Sequence, residues 1–443
     1  MGYAENIRWV DEYVKNIAPY VFVREADSLL IKIPNEAYKL NSQGMMVVKH
    51  ILSGKSVVDI VNSYGGREEE VARDIHFFFC DLKALMKGCY REKEEREAIE
   101  KVPFEIPYNT LPVLSEIALT YRCNLACSFC YASCGCKKDE DHEEMTTDQV
   151  KEVLRIIRYE AEVPSVSFTG GEPLLRVDLF DIVSFAKELG MWTNLITNGV
   201  LADKKKVKEL KKVGLDSAQV SLESGIAGVH DMIVGRGGAF ERTICGLRNF
   251  RDENIRVHTN TTVTGMNKSS LRSILDVVKR EEMGKFSMNM LMPAGSAIDR
   301  QDELLVTYSE IGGIVMDIAE RARSMELEFM WYSPTPVCIF NPIVNGLGNK
   351  ACAACDGLLS VAPDGQVLPC SSYPRPMGSL LEKKTSFKEL WKSEDFRFFQ
   401  EKRYAHAKCR DCGHLAFCQG GCPLYWDQVG YQELMEEKNG ILS

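Results

Sequence analysis

Cysteine spacing is where this sequence shows its chemistry. Of sixteen cysteines, five lie between positions 123 and 136 (Cys123, Cys127, Cys130, Cys134, Cys136). Eight more occupy the last quarter: Cys338, Cys352, Cys355, Cys370, Cys409, Cys412, Cys418 and Cys422. Cys80, Cys89 and Cys245 stand alone. Cys123, Cys127 and Cys130 form Cys-x3-Cys-x2-Cys directly after the apolar run EIALT. Three thiolates fall one short of a structural zinc site. They suffice to hold three irons of a [4Fe–4S] cluster and leave the fourth open to a small molecule. A zinc knuckle completed by Cys134 or Cys136, or buried free thiols, are the competing readings. The C-terminal eight are enough for two four-iron clusters or two zinc sites, and their spacing alone does not separate the metals.

Composition frames that choice. The chain has 443 residues, 45% hydrophobic and 26% charged, which fits a soluble globular protein and excludes a disordered one. Its net charge of −9 lacks the basic footprint of a nucleic-acid binder. The opening MGYAENIRWVDEYVKN has no signal-peptide pattern, and no run of about 18 apolar residues is present. The expectation is a cytoplasmic protein with no membrane and no nucleic-acid partner. In a reducing compartment, clustered cysteines point to metal before disulfides.

The elements that must position these thiols fall into three segments. In the first, VFVREADSLLIKIPNEAYKLN predicts two short strands with a turn at Glu25–Asp27. Helices are expected over 42–54, 55–66 and 67–88, the last with Val71, Ile75, Phe78, Phe79, Leu82 and Leu85 at helical spacing. A hairpin with three helices is a winged-helix-like plan for residues 1–95, and the charged stretch that follows makes a linker over 96–111. In the second segment, strand-like runs at 116–120, 165–169, 192–197, 217–222, 256–263 and 286–291 alternate with helical patterns at 147–162, 177–189, 203–213, 241–253 and 268–281. Six such units predict an α/β fold, a partial (β/α)6 TIM-like barrel over 112–335, with functional residues at the C-terminal strand ends. Residues 336–443 are irregular and Cys-rich and need metal ligation to hold together.

The strand running into YRCNLACSFCYASC, with Tyr131 after the third cysteine, resembles the radical S-adenosylmethionine (SAM) family. The second strand ends in Gly170–Gly171–Glu172–Pro173, which resembles that family's GGEP motif. The resemblance implies a catalytic cluster on Cys123, Cys127 and Cys130, with SAM on its open iron. It also implies that backbone groups of Gly170 and Gly171, with Glu172, receive the SAM ammonium. Asn198, at the end of the third strand, fits the same template; Ser221 and Glu223 would lie near the ribose, and Arg236 would pair with the carboxylate. Tyr131 belongs to the same SAM-binding set. The order C-x9-G-x4-C followed by C-x2-C-x5-C-x3-C resembles the SPASM extension, which holds two auxiliary [4Fe–4S] clusters. By that resemblance Cys352, Cys355, Cys370 and Cys422 hold the first, and Cys409, Cys412 and Cys418 the second. The motif's usual final cysteine is missing, so the second cluster's fourth ligand is Cys338, Asp427 or nothing.

The first segment resembles the PqqD-like peptide-recognition domain, on Leu40, Asn41 and Gly44, Leu52–Ser53–Gly54, and a third helix with Asp74 and Leu82. A packing or dimerisation module is the alternative. Together the resemblances imply a maturase with three [4Fe–4S] clusters that cleaves SAM to a 5′-deoxyadenosyl radical. It would act on a ribosomally made precursor peptide by hydrogen abstraction, forming a thioether or carbon–carbon cross-link or oxidising a side chain. A ferredoxin or flavodoxin would supply the electron. The alternatives are a radical SAM enzyme acting on a tetrapyrrole in anaerobic haem synthesis, a sulfatase-maturase-like oxidase of a protein residue, and a non-enzymatic iron–sulfur carrier, which would need no SAM site.

Overall fold

The computed structural model describes residues 2–34, 36–87, 109–134, 143–382 and 386–435. Most of the expected linker, and both Cys89 and Cys136, lie outside the described residues. The described chain forms two compact units, one reaching to Leu114 and one from Ser115 onward. None of the described helices is long and apolar enough to cross a membrane.

In the N-terminal unit, helix α1 (Trp9–Ile17) precedes strands β1 (Val21–Arg24), β2 (Leu29–Lys32) and β3 (Glu36–Lys39), then helices α2 (Ser42–Leu52), α3 (Val57–Asn62) and α4 (Glu68–Met86). Helices α2 and α3 start where side chains satisfy their free amides. Asn41 Oδ1 accepts from Gly44 N at 2.6 Å, and Ser56 Oγ accepts from Asp59 N at 3.1 Å. The sheet is antiparallel in the order β1-β2-β3. The third strand departs from the two-strand expectation. EAYK is short and carries no fully buried side chain, so its pattern is silent; pairing with β2, Leu30 opposite Tyr38, is what makes it a strand. Val10, Val14, Leu30, Val48, Val57, Phe79 and Leu82 close the core. Arg24 and Asp27 form a buried ion pair, and Arg24 also donates to the Leu111 carbonyl at 2.9 Å.

The second unit is built on parallel strands β4 (Leu114–Thr120), β5 (Ser165–Gly170), β6 (Trp192–Thr197), β7 (Ser217–Ser221), β8 (Arg256–Val263), β9 (Lys285–Met290) and β10 (Glu328–Trp331). The first six are the expected β/α strands. The seventh was not foreseen, since EFMW buries only Trp331 and does not alternate; parallel pairing with β9 recruits it. A hairpin, β11 (Leu358–Val361) and β12 (Val367–Leu368), extends the sheet beyond β4. One sheet face is apolar and fully buried, with Ile117, Phe168, Leu195, Ala218 and Phe286. The other face is polar. Ser217 Oγ donates to Asn194 Oδ1 (2.8 Å) and Asn194 Nδ2 to Ser167 Oγ (3.2 Å). Asn260 likewise accepts from Ser287 Oγ and donates to Asn289 Oδ1, both at 2.8 Å. Barrel interiors are usually filled by branched apolar side chains, whereas this face carries a network of amides and hydroxyls.

Candidate active site

The Cys123–Cys134 loop hangs on backbone bonds to the end of the helix Ala227–Val234 and to the turn that follows β9. Ala126 N donates to Val234 O and Ser128 N to Ile233 O, both at 3.0 Å. Ser296 N donates to Cys130 O at 2.9 Å. The GGEP turn locks against the same loop: Gly171 N donates to Thr120 O (2.7 Å) and Glu172 N to Arg122 O (2.9 Å). Glycine is required here. Gly170 has φ +133°, and a Cβ would lie 2.1 Å from Thr120 O; at Gly171 it would lie 2.2 Å from Arg122 O. The Tyr131 hydroxyl donates to Gly170 O at 3.2 Å.

One cavity at these strand ends is lined by Cys123, Cys127, Cys130, Tyr131, Gly170, Gly171, Asn198, Ser221 and Glu223, together with Phe129, Thr169 and His230. Burial pushes the Cys123 thiol up to about 11. Burial, helped by nearby Glu223, also raises Cys127 well above the ordinary thiol range. Cys130 is lowered to about 6, chiefly by its hydrogen bond with Cys134, whose own thiol is raised by the same bond. Two of the three thiols are thus protonated at neutral pH until a metal takes them, and metal binding must release protons. Cys134 also lines the cavity, where it is hydrogen-bonded to Cys130; the three thiols of the motif beside it fit a [4Fe–4S] cluster with an open iron.

Two expected SAM contacts do not line this cavity. The Glu172 carboxylate is fully buried and serves the protein itself: Oε1 accepts from Leu174 N (3.0 Å) and Thr197 Oγ1 (2.8 Å), and Oε2 from Asn198 N (2.9 Å). It therefore holds the ends of β5 and β6 in register. Arg236 is half-buried and donates to Asn124 O at 2.7 Å, gripping the cysteine loop from outside the lining. Asn198 Nδ2 reaches Asn124 Oδ1 at 2.9 Å and stands 3.9 Å from Cys123 Sγ. Buried Glu223 has its carboxyl pushed up to about 8 by desolvation, with Oε2 accepting from Thr262 N at 2.9 Å. His230 was not anticipated, because nothing in its spacing marks it. Its Nδ1 accepts from Glu223 N at 3.1 Å, which leaves the proton on Nε2, and burial lowers it to about 4.

The C-terminal thiols sort into two groups. After burial, the largest influence raising Cys422 is Cys352, then Cys370; for Cys355 it is Cys370, then Cys352. The other group is Cys338, Cys409, Cys412 and Cys418. Cys409 is raised to about 11 by burial, then by Cys418, Cys338 and Cys412. Val337 N lies 3.4 Å from Cys418 Sγ, which seats Cys338 beside that thiol. Asp427, the rival ligand, instead accepts the Tyr373 hydroxyl at 2.7 Å. Four thiols per group would match the donor number of a [4Fe–4S] cluster, and among the described residues no three His, Cys, Asp or Glu stand close enough to hold a single metal ion.

Comparison with known proteins agrees with this chemistry. Residues 117–280 match the radical SAM superfamily, and residues 352–413 match the SPASM iron–sulfur cluster-binding domain. The chain is therefore an enzyme of the radical SAM class carrying a SPASM domain. Its cofactors are [4Fe–4S] clusters and SAM. Over 320 residues it is 28% identical to an AdoMet-dependent heme synthase of Nitratidesulfovibrio vulgaris, covering 69% of this chain and 85% of the relative. Over 323 residues it is 25% identical to a PqqA peptide cyclase of Rhodopseudomonas palustris, covering 70% and 82%. Its fold matches that of Streptococcus suis SuiB with a TM-score of 0.67 at 16% identity, over 95% of this chain and 96% of that one.

Proposed function

We propose that this enzyme is a maturase that modifies a ribosomally made precursor peptide by radical hydrogen abstraction. The N-terminal unit carries the reading. In its three-stranded sheet β3 lies at one end with β2 as its neighbour, so a peptide can add there as a further strand through backbone bonds. The fold match to SuiB extends over 95% of this chain, and SuiB has been solved with its precursor peptide SuiA bound. The amide- and hydroxyl-rich sheet face suits a peptide backbone.

When bound, the cluster and SAM supply a 5′-deoxyadenosyl radical. The protein's share is binding, orientation and exclusion of water. Cys123, Cys127 and Cys130 hold the cluster. Gly170 and Gly171 offer backbone groups to the SAM ammonium, with Tyr131, Asn198, Ser221 and Glu223 around the rest of the molecule. Arg236 and Glu172 act as positioning residues. Electrons enter from a ferredoxin- or flavodoxin-like donor.

A second reading, a radical SAM enzyme acting on a tetrapyrrole, is favoured by the 28% identity to the AdoMet-dependent heme synthase. Binding to the full chain separates the two. A precursor peptide encoded beside this gene should bind with a Kd of about 1 μM. Proline in its pairing segment should weaken binding at least about tenfold, because each proline removes a backbone donor. Turnover of a porphyrin substrate, with no peptide bound, would replace the first reading by the second.

Cys338 is proposed as the fourth ligand of the cluster on Cys409, Cys412 and Cys418. Cys338→Ala should change the electron paramagnetic resonance (EPR) spectrum of one auxiliary cluster while deoxyadenosine still forms, with modified product falling about tenfold or more. Unchanged spectra and full product yield would make it a core thiol.

A further inference from the structure

We propose that buried Lys402 raises the reduction potential of the auxiliary cluster on Cys352, Cys355, Cys370 and Cys422, with Asp356 as its counter-charge. This rests on those four thiols holding a cluster. The Lys402 side chain is 0% exposed and that of Asp356 4%. Lys402 Nζ lies 3.1 Å from Asp356 Oδ2 and 3.3 Å from the carbonyl of Cys352. Asp356 directly follows Cys355, so both charges sit against the thiols' own backbone. Lys402 comes from a distant segment, after the helix Glu394–Gln400, in a left-handed conformation at φ +52°.

Stability does not account for the pair. Burying an ammonium and a carboxylate costs solvation that their attraction repays poorly, and apolar side chains of the same volume usually serve as well. What a buried charge does supply is a field that water does not screen. Reduction adds an electron to a cluster that already carries four thiolates. A fixed ammonium beside it stabilises the reduced form. The ammonium itself reaches the backbone of a ligand residue, the Cys352 carbonyl at 3.3 Å. The other thiol group differs. Lys408, the lysine that acts on Cys338, is exposed, so solvent screens it. The pair therefore sets the two auxiliary potentials apart.

The test is an EPR-monitored redox titration of the full chain, reconstituted anaerobically. Lys402→Met should shift that cluster's midpoint down. Asp356→Asn, which leaves the ammonium uncompensated, should shift it up, and the other clusters should not move. A merely structural role predicts no shifts of opposite sign. Full iron content with both midpoints unmoved overturns the inference while leaving the ligand assignment intact. If Cys352→Ala/Cys355→Ala/Cys370→Ala keeps the signal, the ligand assignment itself fails and the inference with it. If Lys402→Met loses iron, Asp356→Asn decides alone, and an unmoved or lowered midpoint overturns the proposal. Iron loss in both variants means the pair serves assembly, which also overturns it.

Discussion

Protein reconstituted under anaerobic conditions should hold about twelve irons, and the Cys123→Ala/Cys127→Ala/Cys130→Ala variant about eight. The same variant should form no 5′-deoxyadenosine above background. The loss should be complete because the cavity's other lining residues, Gly170, Asn198 and Ser221 among them, carry no redox chemistry. On the proposed ligand sets, the remaining eight irons would sit on Cys352 with Cys355, Cys370 and Cys422, and on Cys338 with Cys409, Cys412 and Cys418. Inductively coupled plasma mass spectrometry with a deoxyadenosine assay checks both numbers. About four irons in the parent protein, with stoichiometric zinc, would overturn the assignment of two auxiliary clusters. Deoxyadenosine formation by the triple variant would overturn the catalytic one.

Glu172→Ala should cost stability as well as activity. Its carboxylate satisfies the Leu174 amide, the Thr197 hydroxyl and the Asn198 amide in a site with no solvent access. Leaving buried donors unpaired costs about 1–3 kcal/mol each, so a total of roughly 3 kcal/mol or more is expected. In a unit of this size that corresponds to a fall in Tm of about 4 °C. SAM cleavage should drop about 100-fold, because the Asn198 strand end would lose its anchor beside Cys123. Glu172→Gln keeps an acceptor and should recover part of the stability. Calorimetry and deoxyadenosine yield check the two effects. A variant with unchanged Tm and activity would show that Glu172 anchors nothing.

The local part of this protein was legible without coordinates. Strand and helix patterns are written within a few residues, so the six core strands and the three N-terminal helices follow from short apolar runs and from apolar positions at helical spacing. Cys-x3-Cys-x2-Cys and GGEP are likewise short-range patterns, since both lie on single turns at strand ends. Short strands escaped, because EAYK and EFMW carry too little periodicity to be strands except beside β2 and β9.

The tertiary structure decided what depends on residues far apart in the chain. Whether Cys338 lies with Cys418 rather than Cys352 is a matter of three-dimensional distance, set by the Val337 amide on the Cys418 sulfur. Glu172 looks like a ligand residue in its motif, but three donors from β6 and its own turn claim its carboxylate. Arg236 braces the cysteine loop from outside the cavity, and His230 enters through one bond to Glu223 N. The Lys402–Asp356 pair is invisible in sequence, where 45 residues intervene between two ordinary surface-type charges. Sequence determines which groups are available and the local geometry of a turn or helix. Burial and partnership, which set each group's charge and direction, arise only when distant segments pack and exclude water.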